Sequence, residues 1–230
     1  MARVFVIQPQ SDISIEKAHY DLERLVNAEE IYFDSDFHDK YSLFNFGMLF
    51  ALMQYSHHFN SNKKMILVKD IKPTPNKSFG NVLLDILNKG NSTLSQYIIN
   101  EKKAFLISPV RSTTDKLAIY LRRYKRYLLK KGFYEQVHYP IDDTNQEDPI
   151  GIRICRDNLQ AEASSSTIKV FYDEKSKGSV FDLGMDFMLK YYLDPLFCHG
   201  EKRNINLINK HYIKKGGNYE KFLLDLENEN

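Results

Sequence analysis

The chain has 230 residues and a mass of 27.0 kDa, with 43% hydrophobic and 27% charged residues, which is material for one large core or two small ones and excludes global disorder. No run reaches the roughly 18 uninterrupted apolar residues of a membrane span, and the N-terminus MARVFVIQPQ lacks the regions of a signal peptide, so no membrane partner is expected. Cysteine is limited to Cys155 and Cys198, and 32 basic residues against 30 acidic ones leave +2; a cytoplasmic protein with no metal or other cofactor is expected, and a dedicated nucleic-acid binder is not.

In chain order, short β-branched and aromatic runs alternate with stretches of helical period, the pattern of an α/β fold with a mostly parallel, Rossmann-like or flavodoxin-like sheet and flanking helices. Strands are predicted at Arg3 to Ile7, Ile31 to Phe33, Met65 to Val68, Ala104 to Ile107, Gln136 to Tyr139, Thr167 to Tyr172 and Ile205 to Ile208. A helix from Ser14 to Asn27 has Ser14 as N-cap and gathers Ile15, Ala18, Leu22, Leu25 and Val26 on one side. Pro73 and Pro75 keep residues 71 to 76 irregular. A second helix, Thr114 to Lys131, repeats Leu117, Leu121, Tyr124 and Leu128 and stops at Gly132. The tail from Asn218 places Tyr219, Phe222, Leu223 and Leu226 on one face, a helix expected to dock and then fray.

An internal repeat changes the meaning of the length. Residues 44 to 52 read FNFGMLFAL and residues 181 to 189 read FDLGMDFML, identical at five of nine positions. Each copy follows a strand that ends in aromatics and Asp, and each precedes another strand at similar spacing. Two helices converging on one packing stripe would look alike locally, but the flanking strands also correspond. The expectation is a duplication: residues 1 to about 95 as a shortened copy, about 101 to 230 as a complete one.

The stretch Tyr172 to Met185, YDEKSKGSVFDLGM, reads as strand end, loop and helix start. Loops leaving the carboxyl ends of parallel strands line the ligand crevice, and helix N-termini offer free N–H groups to anions. Ser176, Gly178 and Ser179 supply small side chains and hydroxyls there, Lys175 supplies charge, and Asp182 lies one turn further on. An acid in a first turn can equally do no more than complement the helix dipole. A second loop, Pro140 to Pro149, carries Asp143, Thr144, Asn145 and Gln146, polar groups suited to a flat heterocycle or to a plain solvated surface.

Together these segments resemble the nucleoside 2-deoxyribosyltransferases and their relatives that hydrolyse nucleoside 5′-monophosphates. The resemblance covers residues 103 to 209: the loop Ser108-Pro109-Val110-Arg111, a helix ending in GFYEQVHYP, the loop PIDDTNQ, a helix carrying Asn158-Leu159, and SKGSVFDLG, in which Gly178, Asp182, Leu183 and Gly184 match the spacing around the family's catalytic carboxylate. It implies cleavage or transfer at an N-glycosidic bond, with Asp182 attacking the anomeric carbon and water or an incoming base resolving the glycosyl ester. It further implies substrate contacts from Ser108, Pro109, Arg111, Gln146, Asp173, Lys175, Ser176, Gly178 and Ser179. Two positions depart from the family. Asp182 stands where Glu is usual, and Asn158 stands where many relatives have an Asp, which leaves protonation of the departing base to Asp143 or Asp157. Ser176 occupies a position that is acidic in enzymes of free nucleosides and Ser in those of 5′-monophosphates, so a nucleotide substrate is expected.

In the first copy Asn45 matches Asp182 and Tyr41 matches Gly178, so nucleophile and phosphate loop are both lost. Because family members are oligomers whose neighbours close each site, the resemblance implies that residues 1 to about 95 serve as a built-in pseudo-subunit, with further homo-oligomerisation open. The alternatives are a non-catalytic nucleotide sensor and a glycohydrolase of NAD, whose nicotinamide is also held by an N-glycosidic bond. The basic face of helix 114 to 131, with Lys116, Arg122, Arg123, Lys125, Arg126, Lys130 and Lys131, reads as solvated surface before it reads as a nucleic-acid face. His57, His58 and the Cys198–His199 neighbours lack the spacing of a metal or catalytic pair.

Overall fold

The computed structural model describes residues 2–55, 63–89, 94, 96–198, 202–213 and 217–230; His57, His58 and His199 lie outside the described residues. All seven predicted strands are present: β1 (Val4–Ile7), β2 (Glu30–Phe33), β3 (Lys64–Leu67), β4 (Asn100–Ile107), β5 (Gln136–His138), β6 (Ser165–Val170) and β7 (Asn204–Leu207). They form two wholly parallel sheets, of order β1-β2-β3 and β5-β4-β6-β7. Removing β5 from the second order leaves β4-β6-β7, three strands in the arrangement of the first sheet. The fold is α/β and Rossmann-like, in two sheets.

The helices follow from their caps and stripes. In α1 (Ile15–Asn27) Ser14 Oγ accepts the Lys17 N–H, and Ile15, Ala18, Leu22 and Leu25 are buried. In α4 (Asp115–Lys130) Thr114 caps through the Leu117 N–H, and Gly132 follows at φ +70°, a left-handed position that favours glycine. Between these lie α2 (Lys40–Tyr55) and α3 (Phe79–Lys89); after them come the short α5 (Pro140–Asp143), α6 (Ile152–Ala163), α7 (Lys177–Met188), the one-turn α8 (Asp194–Phe197) and α9 (Asn218–Asn228). The predicted loop after β5 thus begins as a helical turn, with Pro140 at its first position. In α9 the four predicted apolar residues are all buried, but the chain end does not fray: the Asn230 side chain accepts the Ile205 N–H and donates to the Ile205 carbonyl, pairing with β7.

The two sheets turn their helices toward each other. One apolar cluster runs from Phe5, Ile7 and Phe33 of the first sheet through α2 and α7 to Phe105, Ile107 and Ile168 of the second. On the opposite face of β4, Ala104 and Leu106 pack on Leu128 and Leu121 of α4. Helices α2 and α7, the repeated segments, cross at their matching glycines. A Cβ on Gly47 would overlap the Phe181 carbonyl oxygen, and a Cβ on Gly184 would overlap the Phe44 carbonyl oxygen. Gly47 matches Gly184 and Phe44 matches Phe181 in the repeat. The crossing is therefore reciprocal, as across the two-fold axis of a symmetric dimer.

Candidate active site at the switch point of the second sheet

In the order β5-β4-β6-β7 the chain leaves β4 toward β5 on one side and later leaves β6 toward β7 on the other. Between those diverging exits an α/β sheet opens a crevice beyond its strand ends. A cavity of about 530 Å³ lies there, within the size range of small-molecule sites. The loop after β4 contributes Ser108 and Arg111, the loop after β6 and the start of α7 contribute Lys175, Ser176, Gly178 and Asp182, and Gln146 and Asn158 come from the connection between β5 and β6. Eight of the twelve predicted site residues meet in this one cavity.

Asp182 is 7% exposed, and burial pushes its carboxyl up to about 7, opposed by a hydrogen bond from Asn158. A chain of donors fixes that amide. The Thr144 hydroxyl donates to Asn158 Oδ1 at 2.9 Å, and its oxygen lies 2.9 Å from His138 Nε2. A Thr hydroxyl that donates to Asn158 must accept from His138, so Nε2 carries the hydrogen and the Asn158 NH₂ is left facing Asp182. Burial holds His138 at about 4, hence neutral near pH 7, and the Nε2–H tautomer makes this donation. Behind Asp182, outside the cavity lining, Glu162 is fully buried with both carboxyl oxygens unpartnered among the described residues, and burial, then the charges of Asp182 and Asp186, raise its pKa well above the ordinary range.

The start of α7 leaves backbone donors open. Ser176 Oγ accepts the Ser179 N–H at 3.3 Å and lies 2.8 Å from Ser179 Oγ. The preceding first-turn N–H groups, of Lys177 and Gly178, have no partner within a helix, and space around the Gly178 Cα is open. Ser108, 2% exposed, lines the same cavity, and its Oγ has no hydrogen-bond partner among the described residues.

Four expected residues stand elsewhere. Asp143 turns away: its carboxylate pairs with Lys125 of α4 and accepts the Tyr139 N–H at 2.6 Å, because the α5 turn points it toward the basic helix. Pro109 is buried, its carbonyl accepting from the Thr113 hydroxyl. Asp173 accepts the Lys175 N–H at 2.9 Å and shapes the turn; Ser179 is spent on Ser176. Gln146 reaches the cavity, but its NH₂ donates to the Pro140 and Thr144 carbonyls, both at 3.1 Å. Asp157, the other proton donor considered, is not among the lining residues.

The first half supplies the other wall. Phe37, Ile71, Lys72, Lys77, Phe79 and Val82 line the cavity, and Phe79 packs on Phe181 with ring centroids 4.7 Å apart. Nothing in a single sequence says that the Pro73–Pro75 loop after β3 meets the loop after β6; only its place beyond a parallel strand marks it as a candidate. At the position matching this site, Tyr41 donates to Asp21 of α1, both nearly fully buried, with Asn45 beside them. Comparison of the chain with protein-family models, with curated proteins and with solved structures gives no match.

Proposed function

We propose that the protein cleaves or transfers at the N-glycosidic bond of a nucleotide, with Asp182 as nucleophile, as the resemblance to nucleoside 2-deoxyribosyltransferases and 5′-monophosphate hydrolases implies. The observation that carries this is the juxtaposition in one cavity of a buried carboxylate, an oriented amide, and an open helix N-terminus one turn away. The substrate phosphate rests on the first-turn amides of α7 near Lys175, which places the sugar over Asp182. A carboxylate oxygen of Asp182 bonds to the anomeric carbon as the bond to the base breaks; water or a second base then displaces the carboxylate. Asn158 holds the carboxylate in line and favours its charged form.

Residues 1 to about 95 act as the built-in partner that a symmetric dimer would supply. They provide the aromatic wall on Phe181, and their α2 crosses α7 as an equivalent subunit's helix would. Residues 100–230 alone should be insoluble or inactive; good activity from them would refute this part. The activity itself is tested by incubating the whole chain with nucleosides and their 5′-monophosphates and measuring free base. Release from nucleotides supports the reading, release from nucleosides alone removes the phosphate argument, and release from none of these and from no dinucleotide overturns the proposal.

A further inference from the structure

We infer that the nucleotide is a pyridinium dinucleotide of the NAD class, cleaved between the pyridinium nitrogen and the ribose. This rests on the N-glycosidic reading above and deepens it through two features of the same cavity.

The first concerns the leaving group. A purine or pyrimidine base departs as an anion unless it is protonated, so cleavage calls for an acid on the base. Among the described residues that line the cavity, the carboxyls are Asp36, Asp70 and Asp182. Asp182 is the attacking group. Asp36 pairs with Lys69, which holds it below the ordinary carboxylate range, so it carries no proton to give. Asp70 is exposed. His38 also lines the cavity, but its Nδ1 lies 2.8 Å from Lys177 Nζ, an ammonium that can only donate, so that ring nitrogen accepts a hydrogen and has none to give. Asn158 has no acidic proton, Asp143 is tied to Lys125, and the Cys155 thiol is pushed far up by burial. Glu162, whose carboxyl burial pushes up, is fully buried and not part of the cavity lining. A pyridinium needs no acid. As the Asp182 oxygen bonds to the anomeric carbon, the electron pair of the breaking bond neutralises the ring nitrogen, and nicotinamide leaves as it stands. Water then displaces the carboxylate, its proton passing to solvent, to give ADP-ribose.

The second feature is a further cationic pole. Lys77 of the first half and Arg111 of the second line the cavity together, close enough that burial and then the Arg111 charge lower the Lys77 pKa. Lys77 Nζ spends one donor on the Gln146 carbonyl at 2.7 Å, leaving two. Arg111 has no carboxylate partner among the described residues. The acid beside them, Asp148, is turned to the backbone N–H groups of Ile150 and Arg153, at 3.0 and 2.7 Å. Two cations against one carboxylate, whose oxygens are already taken by backbone N–H groups, leave a net positive charge that suits a ligand anion. The N-terminus of α7 and Lys175 make a separate subsite for an anion, and the buried Ser108 hydroxyl, unpartnered among the described residues, belongs to the same cavity. One diphosphate can satisfy both.

The test is release of free base from NAD, NADH, nicotinamide mononucleotide and the common 5′-monophosphates by the whole chain. Nicotinamide should leave NAD about a hundredfold or more faster than any neutral base leaves its monophosphate, the span general-acid help ordinarily covers, and NADH, whose ring is uncharged, should be inert. Lys77→Ala and Arg111→Ala should each cut kcat/KM for NAD about tenfold more than for the mononucleotide, the loss of a charge-assisted hydrogen bond. Base release from monophosphates without nicotinamide from NAD would overturn the inference and leave the N-glycosidic reading standing. No base from any substrate would overturn both. Equal losses on NAD and the mononucleotide in the two variants would refute the diphosphate subsite.

Discussion

The two halves place the same helix against the same sheet order and arrive at opposite outcomes. In the second half β5 forces the chain to double back across β4, so the exits of β4 and β6 diverge and a crevice opens between them. The first half lacks that strand, and β1, β2 and β3 follow one another without reversal. At the position matching Gly178 stands the buried Tyr41, whose hydroxyl donates to Asp21. Even the polar pair is inverted. Acid on α1 and amide on α2 (Asp21, Asn45) oppose amide on α6 and acid on α7 (Asn158, Asp182). Side chains alone do not set the two halves apart; the second has a strand that the described residues of the first lack.

The largest effect should come from the acid itself. Asp182→Asn keeps the shape and removes the carboxylate proposed as nucleophile, and kcat should fall about a thousandfold or more, as for other lost nucleophiles. Asn45→Asp in the first half should gain nothing measurable, because the buried Tyr41 stands there in place of Gly178. Nucleophilic attack needs the charged carboxylate, so kcat/KM should rise with pH to a half-maximum near the Asp182 value of about 7. Stability runs the other way. The unfolded carboxyl loses its proton near 4 and the folded one near 7, so folding free energy declines across that window and stays low above it, by on the order of 4 kcal/mol. Urea titrations of Asp182→Asn should show much of that stability restored at pH 8, an exchange of activity for stability. An unchanged stability profile would contradict a buried, charged Asp182.

Next in size are the reciprocal glycines. Gly47→Ala and Gly184→Ala each drive a methyl into the backbone of the opposite helix, with no flexible side chain to yield. Each should cost about 3 kcal/mol, the upper range for overpacking, and by symmetry the two costs should agree within about 1 kcal/mol. Gly47 lies far from any reacting atom in sequence, yet its methyl presses on Phe181, the neighbour of Asp182. Gly47→Ala should therefore lower kcat/KM as well as stability, and a variant that loses stability alone would uncouple the halves.

How much of this was legible depends on which residues had to meet. Strands and helix starts are local, and Ser14, Thr114 and Gly132 marked their boundaries through their own backbone chemistry. The repeat was legible because Gly47 and Gly184 sit at the same place in FNFGMLFAL and FDLGMDFML, although their mutual contact was not. Asp143 was misplaced because a carboxylate in a loop says nothing about Lys125 on a neighbouring helix. The Lys77 and Phe79 wall was missed for the same reason: it arrives from the other half of the chain. Least legible is Arg203, buried beneath α6, donating to Asp194 at 3.0 Å and to the Ser165 and Ala163 carbonyls, with Asp186 at 3.4 Å. Its partners are spread over some 40 residues and share no motif.

The smallest effect should come from Thr144, and it separates the halves most finely, since α1 carries no counterpart of the β5 loop. Thr144→Val keeps the volume and removes the hydroxyl between His138 and Asn158. Asn158 Oδ1 is then unpartnered, at a cost of about 1–2 kcal/mol, and its amide is free to turn over. With the oxygen rather than the NH₂ toward Asp182, the one contact that lowers the carboxyl pKa is lost. The pH–rate half-maximum should move above 7 and kcat at neutral pH should fall about tenfold, while KM for the nucleotide changes little because its anion contacts are elsewhere. A fall in kcat with the half-maximum unmoved would mean that Asn158 acts on the base and not on Asp182.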